Sequence, residues 1–428
     1  MPDTKGAHEG PDSLDQAFPG HQLSLSSRAV HADDYMNSSQ AVAPPMHVST
    51  TFRYDRDPEK LKQWENIDPT APYDSHIYSR DSAPNTTRFE ALLTSVLGGA
   101  SLTYTSGLAA FHALLVQLNP KRIAIGPGYH GCHGVVELMK RLTGLEVVDL
   151  DQLPGKSPEK LAATGLTKGD LFHVETPINP TGEARDLATF IKIAKTLGCY
   201  VSVDATFGPP PLQDPVGMGA DVAMHSGTKY LGGHSDMLCG VLTIHPERAK
   251  EGWVEKFKKD RLLLGSVMGS LEGWLGVRSM RTLELRVLRQ SESATKLVEW
   301  LASSLGDKAS LVSKFVARVH HASLQTEAKK TWLSQQMPGG FGPVFSIVME
   351  EEKQARYLPS KLSLFHHATS LGGVESLIEW RALTDSTTDK RLLRISIGVE
   401  AWEDLKEDLL KGFAALAGEK MELEIRPA

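Results

Sequence analysis

The chain has 428 residues, of which 41% are apolar, a formal net charge of −6 and three cysteines. This length can enclose a substantial core, and we expect two domains preceded by an N-terminal arm. The spread charges give no basis for nucleic-acid binding, no apolar run approaches the length of a membrane span, and the polar N-terminal region lacks the apolar segment of a secretory signal. The cysteines show no metal-ligand spacing, so we predict no metal site and a reducing, cytoplasmic location.

The N-terminal region, from Met1 to about Ala43, is interrupted by several glycines and prolines. This composition predicts a mobile arm. We place the arm at 1–70, a larger cofactor-binding domain at 71–268, and a linking helix with a smaller C-terminal domain at 269–428.

From about Tyr73, apolar segments of strand length alternate with segments of helical pattern. This alternation predicts an α/β fold with a mostly parallel sheet covered by helices on both faces. The predicted strands are Arg122 to Ile125, Leu145 to Leu150, Leu171 to Val174, Tyr200 to Asp204, Asp221 to His225 and Gly240 to His245.

A long tract from Leu271 to Leu301, rich in Leu, Glu and Arg, predicts one helix that joins the two domains. Beyond it, Phe345 to Met349 and Leu392 to Ile397 predict strands of a smaller α/β domain. We find no internal repeat.

Two of the predicted elements begin or end at residues suited to a charged ligand. Ser106 is a suitable N-cap for a helix on which Phe111 and Leu114 share one face, and a helix N-terminus attracts an anion. Asp204 ends a buried strand, where a carboxylate of an α/β sheet points into the ligand crevice.

The segment Ser226-Gly227-Thr228-Lys229 places a lysine beside two hydroxyls and just before a glycine pair. A lysine amine condenses with a carbonyl when burial and neighbours lower its pKa, and hydroxyls donate hydrogen bonds to phosphate oxygens. The segment therefore predicts a site for an aldehyde cofactor with a phosphate tail.

These segments, with Tyr78-Ser79-Arg80, Glu175 to Thr181 and Leu393 to Glu400, resemble in the right order the motifs of the Cys/Met-metabolism family of pyridoxal-phosphate enzymes. The likeness runs from about Val42 to Leu410. It implies a fold-type-I transferase that binds pyridoxal 5'-phosphate, processes a small amino-acid substrate, and assembles as a homo-oligomer, most simply a dimer of dimers.

The resemblance also implies individual roles. Lys229 would hold the cofactor covalently, Asp204 would keep its ring nitrogen protonated, and Asn179 would hydrogen-bond its phenolic oxygen. Arg394 would clamp the α-carboxylate of the substrate. The other implied cofactor residues are Tyr78 and Arg80, which would reach the neighbouring subunit's phosphate, and Ser106, Gly107, Leu108, Thr206, Ser226 and Thr228; Ser370 and Leu371 would lie beside the substrate.

The ring-stacking position departs from the family pattern. Where relatives carry tyrosine, spacing places His130, with Tyr129 one residue earlier. Either aromatic could cover the cofactor ring, and spacing favours His130. That histidine could act as a general acid toward the leaving group or could be only a stacked neutral ring. Cys132 falls where methionine γ-lyases have cysteine, although a lone cysteine is also a common small core residue.

A second departure lies directly before Ser370-Leu371-Gly372-Gly373, where family members that handle cystathionine tend to have glutamate and this chain has Thr369. Threonine offers no counter-charge to a distal ammonium group. We therefore expect γ-replacement on an O-acylated homoserine, with O-acetyl-L-homoserine as the expected donor, through a vinylglycine-type intermediate and with a sulfur or carbon nucleophile that lacks an ammonium.

Three alternatives stay open at this point: γ-elimination of methionine or homocysteine, cystathionine γ-synthesis, and a retired enzyme that serves as a scaffold. The first differs from replacement only in whether water attacks after release. The scaffold is disfavoured because the lysine, aspartate, arginine and phosphate loop are all present.

Overall fold

Two β-sheets, each formed by its own part of the chain, organise the fold. The computed structural model describes residues 18, 23–36, 41–63, 76–153, 161 and 163–418. The predicted boundary at 70/71 lies outside these residues, as does part of the predicted arm, and the domain boundaries stay a prediction. Among the described residues, no helix combines the length and apolarity needed to cross a bilayer.

The larger sheet has seven strands in the order β1-β7-β6-β5-β4-β2-β3. All neighbours run parallel except β7, which is antiparallel to β1 and to β6. The mostly parallel α/β sheet predicted from the sequence is confirmed. Its strands are β1 (Ala100–Tyr104), β2 (Arg122–Ile125), β3 (Glu146–Asp149), β4 (Leu171–Glu175), β5 (Tyr200–Asp204), β6 (Val222–Ser226) and β7 (Gly240–Ile244).

The sequence interpretation missed strand β1. Its buried positions include the polar residues Ser101 and Thr103, so the segment lacks the apolar pattern that predicts a buried strand. Tertiary partners satisfy both hydroxyls, because Ser101 Oγ lies 2.9 Å from Thr243 Oγ1 on β7 and Thr103 Oγ1 donates to Glu90 at 2.8 Å. A buried polar side chain is tolerated when it is hydrogen-bonded.

The helices cover both faces of the larger sheet and link it to the second. They are α1 (Leu25–His31), α2 (Pro84–Leu97), α3 (Gly107–Leu118), α4 (His130–Thr143), α5 (Leu187–Leu197), α6 (Pro246–Lys250), α7 (Trp253–Leu264), α8 (Ser270–Met280), α9 (Leu283–Ser304), α10 (Leu311–Phe315), α11 (Thr326–Ala328), α12 (Ser334–Gln336), α13 (Glu352–Tyr357) and α14 (Trp402–Ala417).

Helix α1 lies inside the segment predicted as an arm without regular structure, so that prediction fails for its last part. No glycine or proline interrupts residues 21–43. The helix buries Ala29 against the core, and the buried Asp33 just beyond it pairs with Arg88 of α2 at 3.2 Å. Packing on α2 therefore orders this stretch.

The predicted single helix from Leu271 to Leu301 is two helices, α8 and α9, that meet at Thr282. The first half of α9 contributes Leu283 and Val287 to the core of the larger sheet, whereas its second half contributes Leu297 and Leu301 to the core of the smaller one. Helix α9 thus packs against both sheets.

The smaller sheet has five strands in the order β10-β11-β12-β9-β8 and is antiparallel except between β10 and β11. Helices α9 and α14 pack against it with apolar side chains. Its strands are β8 (Val316–His320), β9 (Val344–Met349), β10 (His366–His367), β11 (Leu377–Trp380) and β12 (Leu392–Ser396).

Candidate active site

A cavity of about 290 Å³ lies at the carboxyl ends of β4, β5 and β6, and loops of the smaller sheet form its other wall. This is the ligand-binding edge of an open α/β sheet, and the volume is near the lower end of the roughly 300–1,000 Å³ typical of small-molecule sites. All the cofactor and substrate residues predicted from the sequence line it except Tyr78 and Arg80. Their individual roles stay predictions.

Lys229 lies in the turn after β6, and its amine donates a hydrogen bond of 2.6 Å to Ser370 Oγ from the smaller domain. Burial, and secondarily the nearby guanidinium of Arg394, lower the pKa of Lys229 to about 8. A lysine with such a pKa is neutral in a useful fraction of molecules near neutral pH and can act as a nucleophile or base.

The loop that carries Ser370 is fitted closely to this lysine. Ser370 has a φ of 76° and Gly372 a φ of 83°. A side chain at Gly372 would meet the backbone of Lys229 at 2.9 Å, so the loop can pass only as glycine. From behind, the buried Gln290 of α9 donates to the carbonyl oxygens of Gly373 at 2.6 Å and Ile397 at 3.1 Å. The left-handed serine is thus held against Lys229 by its surroundings.

Asp204 ends β5 with its carboxylate buried in the floor of the cavity. Thr206 donates to Oδ1 both from its amide, at 3.0 Å, and from its hydroxyl, at 2.5 Å. The paired residue on β4 is Glu175, also buried, which accepts from the amides of Tyr129 at 2.7 Å and Asn179 at 2.6 Å.

Desolvation raises the pKa of both carboxyl groups, and the charge of Asp204 raises that of Glu175 further. Two adjacent buried carboxylates do not both ionise readily unless a cation joins them. A protonated ring nitrogen at Asp204 would be such a cation.

The N-terminus of α3 forms an anion cradle at the other end of the cavity. Ser106 caps the helix by accepting from the amide of Ala109 at 3.1 Å, so the amides of Gly107 and Leu108 are left for a ligand. A side chain at Gly107 would press on Ser226 Cβ at 3.1 Å. Glycine therefore allows the helix to start directly beside the strand end that leads to Lys229.

The hydroxyls of the lysine segment are used differently from one another. Thr228 Oγ1 accepts from the amide of Cys239 at 2.9 Å and donates to its carbonyl oxygen at 3.2 Å, which fastens the lysine turn to β7. Its predicted donation to a phosphate thus competes with a bond inside the chain. Ser226 makes no side-chain hydrogen bond to another described residue, and its hydroxyl faces the cradle beside Gly107.

Arg394 on β12 reaches the cavity with a 4% exposed side chain. It donates to Asn179 Oδ1 at 3.1 Å and to the carbonyl oxygen of Ser370 at 2.8 Å, and it pairs with Glu379 on the adjacent strand β11. Burial lowers its pKa to about 10, which still leaves the guanidinium charged near neutral pH.

The two candidates for the ring-stacking position differ in enclosure. Tyr129 is half-buried, and its pKa is raised by burial and by the nearby thiol of Cys132. His130 is exposed at the start of α4, and its Nδ1 lies 3.3 Å from Nη2 of Arg381. The structure thus favours Tyr129 as the enclosed aromatic, in contrast to the preference for His130 drawn from spacing.

Thr369 stands exposed in the cavity wall, and within the described part of the chain no carboxylate lines the wall beside it. Glu375 is the nearest acidic residue along the chain, but it accepts from Ser235 Oγ and does not line the cavity. Among the described residues, the acidic side chains that line the cavity are Glu175 and Asp204, both at the sheet edge.

Tyr78 and Arg80 lie away from the cavity of their own chain. Tyr78 is 45% exposed, and the Arg80 guanidinium sits 5.3 Å from the centre of its ring. Such an exposed pair is compatible with the predicted service to a neighbouring subunit, which stays a prediction.

Sequence reasoning missed several residues of the site, chiefly Glu175, Glu379, Arg381 and Thr384. Glu379 is on β11 and Arg381 follows directly after that strand, and this close spacing of a carboxylate and a guanidinium was the available signal. Sequence reasoning also did not predict the cluster of Cys132, His173 and Asp204, whose potential metal-ligand atoms lie within 4.8 Å of one another. In that cluster burial raises the pKa of the Cys132 thiol well above its usual value and lowers that of His173 to about 3.

The residues present fit pyridoxal phosphate. An amine with a lowered pKa, a buried carboxylate in the same cavity, and a capped helix N-terminus with a hydroxyl beside it supply what an aldehyde, a pyridine nitrogen and a phosphate require. Lys229, Asp204 and the Gly107 cradle are the groups that would hold them.

Comparisons with known proteins agree. A family model described as Cys/Met metabolism PLP-dependent enzyme matches residues 26–414. The chain is 35% identical over 350 residues to a cystathionine beta-lyase of Lactococcus lactis, covering 78% of this chain and 87% of that one. It is 31% identical over 395 residues to the cystathionine gamma-synthase of Escherichia coli, covering 87% and 93%. It is also similar to the structure of CalE6, a methionine gamma lyase from Micromonospora echinospora, with a TM-score of 0.77, 30% identity, and coverage of 92% and 99%.

Proposed function

Because this chain belongs to the Cys/Met metabolism PLP-dependent enzymes and uses pyridoxal 5'-phosphate, we propose that it catalyses γ-replacement on an O-acylated homoserine, with O-acetyl-L-homoserine as donor. Relatives of this family that are similar to the chain carry out β-elimination, γ-elimination and γ-replacement. The finer assignment therefore depends on the chain's own cavity.

One observation carries the proposal: the wall beside the substrate position is neutral at Thr369. A second amino acid such as cysteine would bring an ammonium group, and no free carboxylate lines the wall within the described residues. The acceptor is thus a sulfur or carbon nucleophile without an ammonium, and a small thiol or a β-keto compound fits.

The side chains divide the remaining work. Arg394 binds the α-carboxylate, and the Lys229 amine takes up and returns protons at Cα and Cβ. Asp204 would hold the proton of the ring nitrogen, and Tyr129 would cover the ring, with His130 as the more exposed of the two neighbouring aromatic side chains. When bound, the cofactor supplies an electron sink for the carbanion at Cα. The acyloxy group leaves from Cγ as a carboxylate, so its departure requires no proton from His130.

The test is incubation of the holoenzyme with O-acetyl-L-homoserine and a panel of thiols and carbon acids, with acetate release and products followed by mass spectrometry. We expect acetate release coupled to a new bond at Cγ. Release of a 2-oxo acid and ammonia from methionine or homocysteine at a higher kcat/KM than any replacement would instead assign the chain as a γ-lyase.

A further inference from the structure

The cavity wall after β11 carries a second arginine. Arg381 lines the cavity together with Thr369, Thr384 and Leu238, and its side chain is 3% exposed. We propose, on the premise that the chain is a γ-replacement enzyme, that Arg381 binds a carboxylate of the second substrate. The acceptor is then a nucleophile that itself bears a carboxylate.

The donors of Arg381 are only partly used. Nη1 donates to Glu379 Oε2 at 3.0 Å and to Thr384 Oγ1 at 3.0 Å, and Nη2 donates to His130 Nδ1 at 3.3 Å. A guanidinium has five N–H groups. Within the part of the chain that the structure describes, the second N–H of Nη2 and the N–H of Nε have no partner, and Nε is buried. A buried unsatisfied N–H is unfavourable, and a planar fork of this kind accepts a carboxylate with two parallel bonds.

The charges around this wall favour an anionic acceptor over a cationic one. Glu379 is shared by two guanidinium groups, because its Oε2 pairs with both Arg381 and Arg394. Its Oε1 accepts from Thr384 at 2.8 Å. The other acid near the wall is Asp385, whose carboxylate is 3.9 Å from Arg381, beyond hydrogen-bond distance.

The α-carboxylate of the donor accounts for Arg394 in the proposed function. An acceptor ammonium would then meet Arg381 and the Lys229 amine, and the described residues of this wall offer it no free counter-charge. A carboxylate at the same place would meet a guanidinium whose donors are only partly used.

The rest of the wall sets the size and polarity of the acceptor. Thr369 and Thr384 are small and uncharged, and the 59% exposed side chain of Leu238 adds an apolar surface. A short carbon chain fits between them. The ligand class is therefore a short carboxylic acid with an acidic C–H or an S–H, such as a β-keto acid or a mercapto acid.

The reaction balances without an oxidant or reductant. The acceptor loses its C–H or S–H proton to a base, and the electron pair forms the new bond at Cγ. The Cγ–O bond breaks, and its electron pair leaves with the donor's acyl group as a carboxylate.

The test uses three thiols of similar size that differ in charge: 3-mercaptopropionate, 2-mercaptoethanol and cysteamine. With the holoenzyme and O-acetyl-L-homoserine, we expect kcat/KM to fall in that order. In Arg381→Met the ratio of kcat/KM for 3-mercaptopropionate to that for 2-mercaptoethanol should drop tenfold to a hundredfold. Arg381→Lys, which keeps the charge but not the fork, should retain part of the preference.

The proposal is overturned if Arg381→Met lowers kcat/KM for all three acceptors by the same factor and raises the KM of the donor. Arg381 would then act only by supporting Glu379 and Arg394. A binding measurement keeps the test independent of turnover. Acetoacetate is titrated into holoenzyme saturated with L-homoserine, which occupies Arg394 but lacks the acyl leaving group. Binding that is lost in Arg381→Met supports the proposal, and equal binding refutes it. Absence of acetate release with every acceptor would count against the γ-replacement itself.

Discussion

Burial and the charge of Arg394 lower the pKa of Lys229 to about 8. Its neutral fraction rises with pH through that value. An unperturbed lysine is mostly neutral only at a pH above about 10.4. The neighbouring Ser370 hydroxyl, 2.6 Å away, accepts from the same amine and fixes its direction.

We predict that apoenzyme captures pyridoxal phosphate at a rate that rises with pH to a plateau with a midpoint near 8, because the neutral amine is the nucleophile. The measurement is covalent cofactor fixed by borohydride after short mixing times at a series of pH values. Lys229→Ala should fold and fix none. A midpoint near 10 would contradict a desolvated lysine.

At Thr369 the prediction concerns charge. Thr369→Glu should improve the use of cysteine as acceptor by about tenfold to a hundredfold, since a charge-assisted hydrogen bond to its ammonium contributes about 1.5–3 kcal/mol. The same change should impair the native acceptor. Thr369→Gln, similar in size but neutral, is the control and should not help cysteine. Cystathionine synthesis by the unmodified enzyme at rates equal to any other acceptor would show the inference to be wrong.

Among the elements, the junction of β7 with the start of α3 is decisive for the phosphate cradle. A Cβ at Gly240 would overlap the carbonyl oxygen of Ser106 and approach Ala110 Cβ at 2.9 Å. Both contacts belong to the capped first turn of α3. A side chain at position 240 would therefore displace the start of the helix, although none of the residues that face the ligand is itself changed.

We predict that Gly240→Ala destabilises the protein by about 1–3 kcal/mol through overpacking and weakens cofactor binding at least tenfold. Urea unfolding and cofactor titration measure the two effects. The matched control is Gly134→Ala in the exposed part of α4, where an added Cβ has no neighbour within 4 Å. That change should stabilise the helix by about 0.5–1 kcal/mol and leave cofactor affinity as it was. Equal behaviour of the two variants would rule out the cradle argument.

For the whole molecule, the first question is assembly. The exposed pair of Tyr78 and Arg80 does not line the cavity of its own chain. If it serves a neighbouring site, a dimer of one Arg80→Ala chain and one Lys229→Ala chain carries both substitutions in one site and leaves the other site intact. When the two inactive variants Arg80→Ala and Lys229→Ala are mixed, activity should return through hybrid sites. In a random equal mixture, up to about a quarter of all sites should be intact. An active monomer by light scattering would exclude this arrangement.

A second property of the whole molecule is acid sensitivity. His225 and His321 are buried, and burial lowers the pKa of each to about 4. The unfolded chain, with a histidine pKa near 6.5, binds more protons below that value. Stability is therefore full above about pH 6.5 and is lost as the pH falls toward about 4, by on the order of 3 kcal/mol for each histidine.

We expect His225→Asn to flatten the dependence of the urea midpoint on pH between 7 and 4, because one buried group that must take up a proton on unfolding is removed. His366→Asn, at an exposed histidine on β10, should leave the slope as in the parent. A parent protein whose midpoint does not change over this range would contradict the assignment.

The cofactor chemistry could be predicted from the sequence because its signals are local. A lysine among hydroxyls, a carboxylate at the end of a strand, and a serine at the start of a helix each combine a residue type with a position in one element. The larger sheet followed from the alternation of strand and helix patterns. Strand β1 and helix α1 were missed because their polar or small residues are stabilised by partners distant in sequence.

What only the tertiary structure decided are contacts across long stretches of chain. Arg381 meets His130 across 251 residues, and Arg394 meets Asn179 across 215. The enclosure of Tyr129, the shared use of Glu379 and the neutral wall at Thr369 all arise where loops of the smaller sheet close over the edge of the larger one. The sequence therefore determined the family and its cofactor. The charge of the acceptor depends on which side chains the fold buries together, since desolvation and distance set their interaction.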